Sequence, residues 1–307
     1  MNIKINNILR KIIYYTGLNS LSGNFLNSHL FIFGFHSIQP DNVSNPAEGF
    51  EHLTTSANAF RRRLMWLKDQ GHTFITFDML ENPEIKNLHK PTIIYFDDGF
   101  RDTLTVAEPI LRGFGIPGTV FIASGLIDRT HMLWAPIHRR ILSQKGYSEQ
   151  QIESEITRIK SLSEDARLKS MRANTFSDVS DLFLTWDELR ELRDRGFSVG
   201  AHVHSHLRLP ELSGEKLLEE LALPQERIQK ELRLRPKSLS FPHGRWNTEV
   251  LSKARSMGYK YAVSIGHGAN PIKFGDFNVL KNIPDPKNSS LVTFATNCYI
   301  RSLLKRS

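Results

Sequence analysis

The sequence predicts an α/β fold, a single-domain (β/α) barrel of about seven to eight mostly parallel strands. Short runs rich in β-branched and aromatic residues alternate with helical stretches, a pattern typical of parallel strands joined by helices. About eight such runs follow one another in one series, which favours a single barrel over an open sheet with a second domain. The chain has 307 residues, a length that suits one barrel, and its 40% of hydrophobic residues can form a large core.

Local patterns predict each element in order. The first strand candidate is Leu30 to Phe35, and the helix from Ala57 to Asp69 carries apolar residues on one face. Thr92 to Phe96 is a short apolar strand. Further strands are expected at 119–123, 197–201, 238–241, 259–264 and 278–281, separated by helices near 101–112, 185–195, 213–233 and 247–257.

Three helical stretches carry signals of their own. Thr185 followed three residues later by Glu188 forms a capping box, which opens a helix. Pro224 should kink or split its helix, because proline lacks the N–H that a helix interior needs. Residues 148–174 are polar and favour helix, so we interpret the stretch near 132–175 as a helical insertion in the barrel, too poor in apolar residues to hold its own core.

Positive charge is concentrated at the two ends of the chain. The formal net charge is +8, yet residues 1–40 and 287–307 contain basic residues and no acidic ones, which leaves the remainder close to neutral. A near-neutral body argues against the basic groove of a nucleic-acid-binding protein. We expect a basic amphipathic segment at 1–29, a barrel at 30–286 and a basic C-terminal helix at 287–307. Each end either packs on the body, which we favour, or lies on an anionic membrane surface.

Composition also bears on location and chemistry. The sequence has no signal-peptide core and no run of about 18 apolar residues. We therefore expect a cytoplasmic protein, either free or peripheral on the inner membrane face.

Cys298 is the only cysteine, which excludes an internal disulfide and a thiolate zinc cage. A metal would have to bind to His, Asp or Glu.

Two adjacent carboxylates follow the strand that ends at Phe96. Asp97 and Asp98 stand where the strand ends and Gly99 turns the chain. The carboxyl ends of parallel strands form the usual active-site edge of α/β proteins. The alternative is that both residues only shape a turn and a helix start.

Three histidines recur at every second position in the segment His202-Val203-His204-Ser205-His206. In an extended strand they would share one face. Two imidazoles and one carboxylate can hold zinc or a similar ion and leave a position open for water. Exposed or hydrogen-bonded histidines without a metal are the alternative. Further along, Pro242 and Gly244 fix a turn whose backbone N–H groups could form an oxyanion hole.

The order of these motifs resembles the polysaccharide deacetylase family, also called carbohydrate esterase family 4. The matching motifs are Phe96-Asp97-Asp98-Gly99, His202-x-x-x-His206 and Phe241-Pro242-x-Gly244. The segments 107–122 and 184–200 also look like family sequence, so the resemblance covers about residues 30 to 286.

This resemblance implies a distorted (β/α) barrel that removes N-acetyl, or sometimes O-acetyl, groups from sugars with a divalent metal. Zn²⁺ is the expected ion, with Co²⁺, Mn²⁺, Ni²⁺ or Fe²⁺ as alternatives. Carried over to this sequence, the metal ligands would be Asp98, His202 and His206. Asp97 would be the general base, and the backbone N–H of His243 would stabilise the oxyanion.

The sequence departs from the commonest family pattern at two points. The histidine that usually acts as general acid near the C-terminal end is missing, but the strand ending in His36 looks like the branch in which this strand has moved to the N-terminus. His36 is therefore the expected general acid, unless it only begins a loop. Ser240 stands where an arginine often orients the base, and Lys281 could take over that role or be a surface lysine.

The remaining expectations concern the pocket and the reaction. Expected pocket residues are His204, Phe241, Pro242, Gly244 and Trp246. Trp134 and Trp246 could stack on sugar rings, whereas Trp186 is expected to pack. We expect a carbohydrate deacetylase, a hydrolase of non-peptide amide bonds, acting on an N-acetylated sugar of a surface polysaccharide, a glycolipid or a precursor. An O-deacetylase or deformylase on the same scaffold and a non-catalytic carbohydrate-binding or assembly protein are the alternatives. The expected partners are this sugar and an anionic membrane surface, without nucleic acid.

Overall fold

A nearly closed, mostly parallel sheet forms the centre of the structure, a computed structural model that describes residues 7–17, 26–41, 53–131, 133–162, 166, 180–266, 268–283 and 289–304. The strands are β1 (His29–Phe35), β2 (Ser37–Gln39), β3 (Thr54–Ser56), β4 (Thr73–Ile75), β5 (Pro91–Phe96), β6 (Thr119–Ile122), β7 (Ser198–Ala201), β8 (Ser238–Ser240), β9 (Tyr261–Ile265), β10 (Asn270–Pro271) and β11 (Asn278–Asn282).

The main sheet has nine strands in the order β10-β1-β5-β6-β7-β8-β9-β11, with β4 also paired to β5. All of its pairs are parallel except that of β1 with β10. The N–H of Ile283 donates to the carbonyl of Ile32 over 2.7 Å, which brings the end of β11 beside β1. The predicted (β/α) barrel is thereby confirmed, while β2 and β3 form a separate pair.

Helices surround this sheet. They are α1 (Asn7–Tyr15), α2 (Ala57–Asp69), α3 (Glu108–Phe114), α4 (Ser124–Ile127), α5 (Trp134–Gln144), α6 (Glu149–Lys160), α7 (Trp186–Asp194), α8 (Gly214–Leu232), α9 (Thr248–Ser256) and α10 (Leu291–Leu304). The predicted capping box of α7 is present, since the Thr185 and Glu188 side chains each accept from the other's backbone N–H. No helix among the described residues is long and apolar enough to cross a membrane.

The pairing of β1 with β5 fixes one side of the functional edge. These strands run in register from Phe31 opposite Thr92 to Phe35 opposite Phe96. Alternate side chains of β5 point to different cores: Ile94 and Phe96 join the layer packed against the helices, whereas Ile93 and Tyr95 fill the barrel interior. The residue after Phe96 therefore continues the inward direction of Tyr95.

The prediction that Pro224 splits its helix is wrong. Helix α8 runs unbroken through this proline, which is itself buried. The missing N–H removes one intrahelical hydrogen bond, but the helix buries a long apolar face that includes Leu217, Leu221 and Ile228. Tertiary packing thus outweighs the local break.

Helices α5 and α6 lie within the predicted insertion. Leu142, Ile152 and Ile156 form a small apolar cluster between them, with Trp134 packed against it. Residues 163–165 and 167–175 of the predicted insertion lie outside the described residues. The division of the chain into a barrel, an insertion and two basic ends stays a prediction.

The two terminal helices pack against each other. Arg10 of α1 is buried and donates to the Asn297 side chain of α10 over 3.2 Å, and α10 also contacts α2. The other face of α1 is open, because Ile8, Ile12 and Tyr15 are 72%, 50% and 76% exposed. The basic residues Lys4, Lys287, Lys305 and Arg306 lie outside the described residues.

Candidate active site

The two adjacent carboxylates lie at the carboxyl end of β5, and both are buried. The N–H of Asp97 donates to the carbonyl of Phe35 over 2.9 Å, so β1 and β5 end together. Asp98 has a left-handed backbone with φ of 71°, and Gly99 follows with φ of 82°. This turn allows both neighbouring side chains to face one cavity, although successive residues of a strand would face opposite sides.

His202 and His206 lie at the carboxyl end of β7 and meet Asp98. Asp98 Oδ1 is 3.3 Å from His202 Nε2 and 3.4 Å from His206 Nε2. One ligand atom of each residue lies within 4.8 Å of the others. Asp98 Oδ1 is buried and has no hydrogen-bond partner. Three ligand atoms that converge without hydrogen-bond geometry fit a cation better than a hydrogen-bonded network.

The tautomer of His202 suits a metal ligand. Its Nδ1 lies 2.9 Å from the carbonyl of Ser240, which can only accept, so Nδ1 carries the proton and donates it there. Nε2 is left facing Asp98. Such a hydrogen bond to the far side of an imidazole orients many metal-binding histidines. The residues present therefore fit a divalent cation held by Asp98, His202 and His206.

The electrostatics of the group agree with this fit. Burial alone would lower the pKa of His202, but Asp97 and Asp98 outweigh it and raise that pKa to about 9. The pocket thus favours positive charge at this point, which a divalent cation would also supply. Burial, offset only in part by Asp98, lowers the pKa of His206 to about 3 and keeps this imidazole neutral, as a metal ligand must be.

Asp97 lies beside this group and has a free oxygen. Its Oδ1 is buried without a hydrogen bond and lies 3.7 Å from His202 Nδ1. Burial raises the pKa of Asp97, although His202, His36 and the hydroxyl of Ser240 act in the opposite direction. A carboxylate with a raised pKa is a stronger base, so Asp97 is suited to accept a proton.

The predicted shared face of the three histidines is wrong. Strand β7 ends at Ala201, and Val203 and His206 are left-handed with φ of 58° and 56°. The chain therefore coils instead of continuing as a strand. This brings His202 and His206 together and turns His204 away, where its Nδ1 lies 2.8 Å from Ser124 Oγ.

Glu220 holds this coiled segment in place. It lies on α8, is buried, and its Oε2 accepts from the N–H of His204 at 3.1 Å and from the N–H of Ser205 at 2.8 Å. Sequence reasoning missed it. The available signal was an acidic residue within the apolar stripe of α8, next to Leu221.

A cavity of about 470 Å³ opens over the site. Besides the two carboxylates, His202 and His206, it is lined by the predicted residues His36, Phe241, His243, Gly244 and Trp134. His243 has a left-handed backbone with φ of 57°. Within the described part of the chain, its N–H has no hydrogen-bond acceptor. The turn can therefore offer one backbone donor to the cavity.

Other predicted residues do not reach the cavity. His204, Pro242, Trp246 and Lys281 are absent from its lining. Lys281 is exposed, and its neighbour Asn282 takes the inward position and donates to the Tyr95 hydroxyl over 3.0 Å. Ser240, which stands where an arginine often orients the base, itself acts on Asp97 as a hydrogen-bond donor. Trp186 packs as predicted, with its Nε1–H donated to Asp128 over 2.8 Å.

His36 follows the last residue of β1, and Asp102 fixes the segment after it. The Asp102 carboxylate accepts from Ser37 Oγ at 2.5 Å, from the N–H of Ile38 at 3.2 Å and from Gln39 Nε2 at 2.8 Å. Asp102 lies four residues after Asp98. It therefore ties the strand that carries His36 to the motif that carries the carboxylates.

Sequence and structure comparisons agree on the relatives of this chain. Residues 85–262 match the polysaccharide deacetylase family. YxkH of Bacillus subtilis strain 168, whose name as a polysaccharide deacetylase is provisional, is 22% identical over 238 residues, which are 76% of this chain and 64% of that protein. The chain thus spans less than two thirds of this curated relative.

Solved structures share the fold. The deacetylase PplD of Streptococcus pyogenes, in complex with acetate, has a TM-score of 0.63 and 21% identity, over 88% of this chain and 98% of that one. The de-N-acetylase of Aggregatibacter actinomycetemcomitans has a TM-score of 0.59 and 16% identity, over 87% and 97% of the two chains. At these identities the likeness is one of fold. Since the family match covers more than half of the sequence, this protein belongs to the polysaccharide deacetylase family.

Proposed function

We propose that the protein is a metal-dependent hydrolase that removes the N-acetyl group of an N-acetylated sugar. The observation that carries this proposal is the convergence of Asp98, His202 and His206 beside the unpaired oxygen of Asp97 in one cavity. Family membership supports the reaction class. We propose Zn²⁺ as the ion, because two imidazoles and a carboxylate with an open position are a common zinc site.

The cation would be held by Asp98, His202 and His206, and when bound it supplies a Lewis acid that polarises the acyl oxygen and lowers the pKa of water. Asp97 then accepts the proton of the attacking water. Its raised pKa and free Oδ1 suit that role. The N–H of His243 would donate to the oxyanion that develops at the acyl oxygen when the water attacks the acyl carbon.

The leaving amine needs a proton, and we assign this step to His36. It lines the same cavity as Asp97, and its charge acts on both carboxylates. The imidazole would donate its proton to the sugar nitrogen as the carbon–nitrogen bond breaks. Acetate and the free amino sugar are the products.

Metal analysis combined with two variants tests the assignment. We expect one divalent ion per chain in the wild type, no loss of metal in Asp97→Asn, and loss of metal in His202→Ala. His89→Ala is the matched control, since His89 is exposed and lies before β5, away from the site. Release of acetate from N-acetylated sugars should fall by about 10²–10⁴-fold in Asp97→Asn. A metal-free wild type with activity that chelators leave intact would refute the mechanism.

We also propose that α1 lies on an anionic membrane surface. Its open face consists of Ile8, Ile12 and Tyr15, which recur at helical spacing, while residues 1–40 carry basic and no acidic residues. Replacing Ile8 and Ile12 together by Gln should weaken binding to anionic vesicles at least about tenfold, because each apolar side chain contributes about 1.5–3 kcal/mol on burial. Met65→Gln on α2 is the control, since Met65 is 51% exposed. Equal sedimentation of both variants with the vesicles would contradict this location.

A further inference from the structure

Three cationic side chains line the cavity that contains the candidate metal site. Lys160 is the last residue of α6, Arg208 follows the coiled histidine segment, and Arg245 follows the turn at Gly244. They come from three separate segments of the chain. Three independent segments therefore contribute positive charge to the same cavity.

Two of these three cations have no acidic partner among the described residues. Arg208 contacts Glu211 at 3.0 Å and the carbonyl of Lys160 at 3.0 Å. Within the described part of the chain, Lys160 and Arg245 have no carboxylate within 4.0 Å. Elsewhere on the surface arginines commonly pair, as Arg139 does with Glu149 and Glu153. Few acidic residues among those described therefore lie close enough to neutralise the cations of this cavity.

The charge balance of the cavity leaves Lys160 and Arg245 in excess, because Arg208 is paired with Glu211. Among the described residues that line the cavity, only Asp97 and Asp98 are acidic, and a divalent ion bound there would balance both. A neutral acetamido sugar needs hydrogen-bond partners and a stacking surface, not three cations. Unpaired cations in a concave site raise the local concentration of anions.

We infer that the sugar substrate carries a phosphate or diphosphate group, which Lys160, Arg208 and Arg245 bind while the acetamido group lies at the metal site. This inference rests on the proposed function. Arginine binds phosphate oxygens with two parallel hydrogen bonds, and lysine adds a point charge. Three cations exceed what one carboxylate can balance but match the charge of a phosphate or diphosphate. A cavity of about 470 Å³ lies in the range of sites for small molecules.

Kinetics on matched substrates test the inference. N-acetylated gluco-, galacto- and mannosamine are each offered as the neutral methyl glycoside and as the 1-phosphate, with acetate release as the readout. We expect kcat/KM to be at least about tenfold higher for the phosphate than for the glycoside of the same sugar. A nucleotide diphosphate sugar and a prenyl diphosphate sugar in vesicles then distinguish a soluble from a lipid-linked source of the same chemistry.

Variants identify the residues responsible. Arg245→Gln and Lys160→Gln should each lose at least about tenfold in kcat/KM for the phosphorylated sugar and less than about threefold for the neutral glycoside. Lys86→Gln is the matched control, because it removes the same charge from an exposed lysine before β5. The control should leave the ratio between the two substrates unchanged.

Binding gives a readout that does not depend on turnover. Calorimetric titration of the Asp97→Asn variant with the 1-phosphate and with the methyl glycoside should show tighter binding of the phosphate, and adding Arg245→Gln should remove that difference. Equal turnover and equal binding of the two substrates would overturn the inference and leave the proposed function standing. Failure to release acetate from any substrate by the metal-loaded protein would overturn the proposed function and this inference with it.

Discussion

Replacing Glu220 by alanine should loosen the candidate metal site without changing any of its proposed ligands. The Oε2 of this buried carboxylate accepts two backbone N–H bonds from the segment between His202 and His206. That segment includes left-handed Val203, and His206 itself is left-handed. Glu220 therefore supports a conformation that the backbone would not adopt by itself.

The size of the effect follows from the two donors. Each N–H that loses its acceptor costs about 1–3 kcal/mol, and the lower half of that range suits these partly buried bonds. Removing the buried charge of Glu220 recovers part of this free energy. Burial raises the pKa of Glu220, which is a sign of that desolvation. We expect Glu220→Ala to lower the free energy of unfolding by about 1–3 kcal/mol. Metal affinity should fall about 10–100-fold, as is usual when a group that orients metal ligands is lost.

Thermal unfolding and competition with a fluorescent chelator measure the two quantities. Glu220→Gln is the informative partner variant, because it keeps a carbonyl oxygen as acceptor and removes the charge. It should retain most of the stability and most of the metal affinity. Glu219→Ala is the matched control, since Glu219 is the exposed neighbour on the same helix.

The result that would refute this reasoning is specific. If Glu220→Ala binds metal as tightly as the wild type and Glu219→Ala does too, the hydrogen bonds to the histidine segment do not position the ligands. If Glu220→Gln loses as much affinity as Glu220→Ala, the charge and not the acceptor geometry matters.

Three further predictions concern the same edge of the barrel. His36→Gln should lower kcat for acetamido sugars by about 10²–10⁴-fold. Hydrolysis of 4-nitrophenyl acetate should fall by less than about tenfold, because its leaving group needs no proton. Equal losses on the two substrates would exclude His36 as the acid. Asp102→Asn should show the same difference between the two substrates in weaker form. It should also lower the free energy of unfolding by about 1–3 kcal/mol, because the substitution turns one acceptor oxygen into a donor that faces other donors. Wild-type kinetics on both substrates would contradict a positioning role for Asp102. Gly34→Ala should destabilise by about 1–3 kcal/mol in a denaturant titration, because overpacking strains a tightly packed site. A Cβ at Gly34 would lie 2.3 Å from the Tyr95 ring. Gly113→Ala, where nothing lies within 4 Å, should be neutral or stabilising; equal losses would show that the contact with Tyr95 is not the cause.

The sequence predicts where the carboxylates and the two histidines that meet Asp98 lie, because their positions depend on a general property of the fold. Parallel strands end at one edge, so polar residues directly after apolar runs meet there. The positions of the turns after β5 and β8 can be predicted from the sequence for the same reason. The sequence alone is therefore enough to predict that Asp97, Asp98, His202 and His206 lie close together.

The failures depend on single-residue geometry. Side chains alternate along a strand, so a shift by one residue decides between Lys281 and Asn282 as the inward side chain. Strand β11 has only five residues, which is too short for its register to be deduced from the sequence. His204 was misassigned because nothing in the sequence marks Val203 as left-handed, and this one torsion ends the strand and turns the next side chain away. Glu220 and Asp102 act across long sequence separations, which pattern reasoning does not detect.

Four non-glycine residues at the candidate site, Asp98, Val203, His206 and His243, have left-handed backbones. Each of these conformations carries a penalty on the order of 1 kcal/mol for a residue with a Cβ, and glycine would avoid it. A descendant that no longer needed the chemistry would therefore gain stability by accepting glycine at these positions. Glycine at 98, 206 and 243 in a related sequence should mark a lineage that has kept the barrel and abandoned catalysis, whereas retention of the strained side chains should mark one still under selection for turnover.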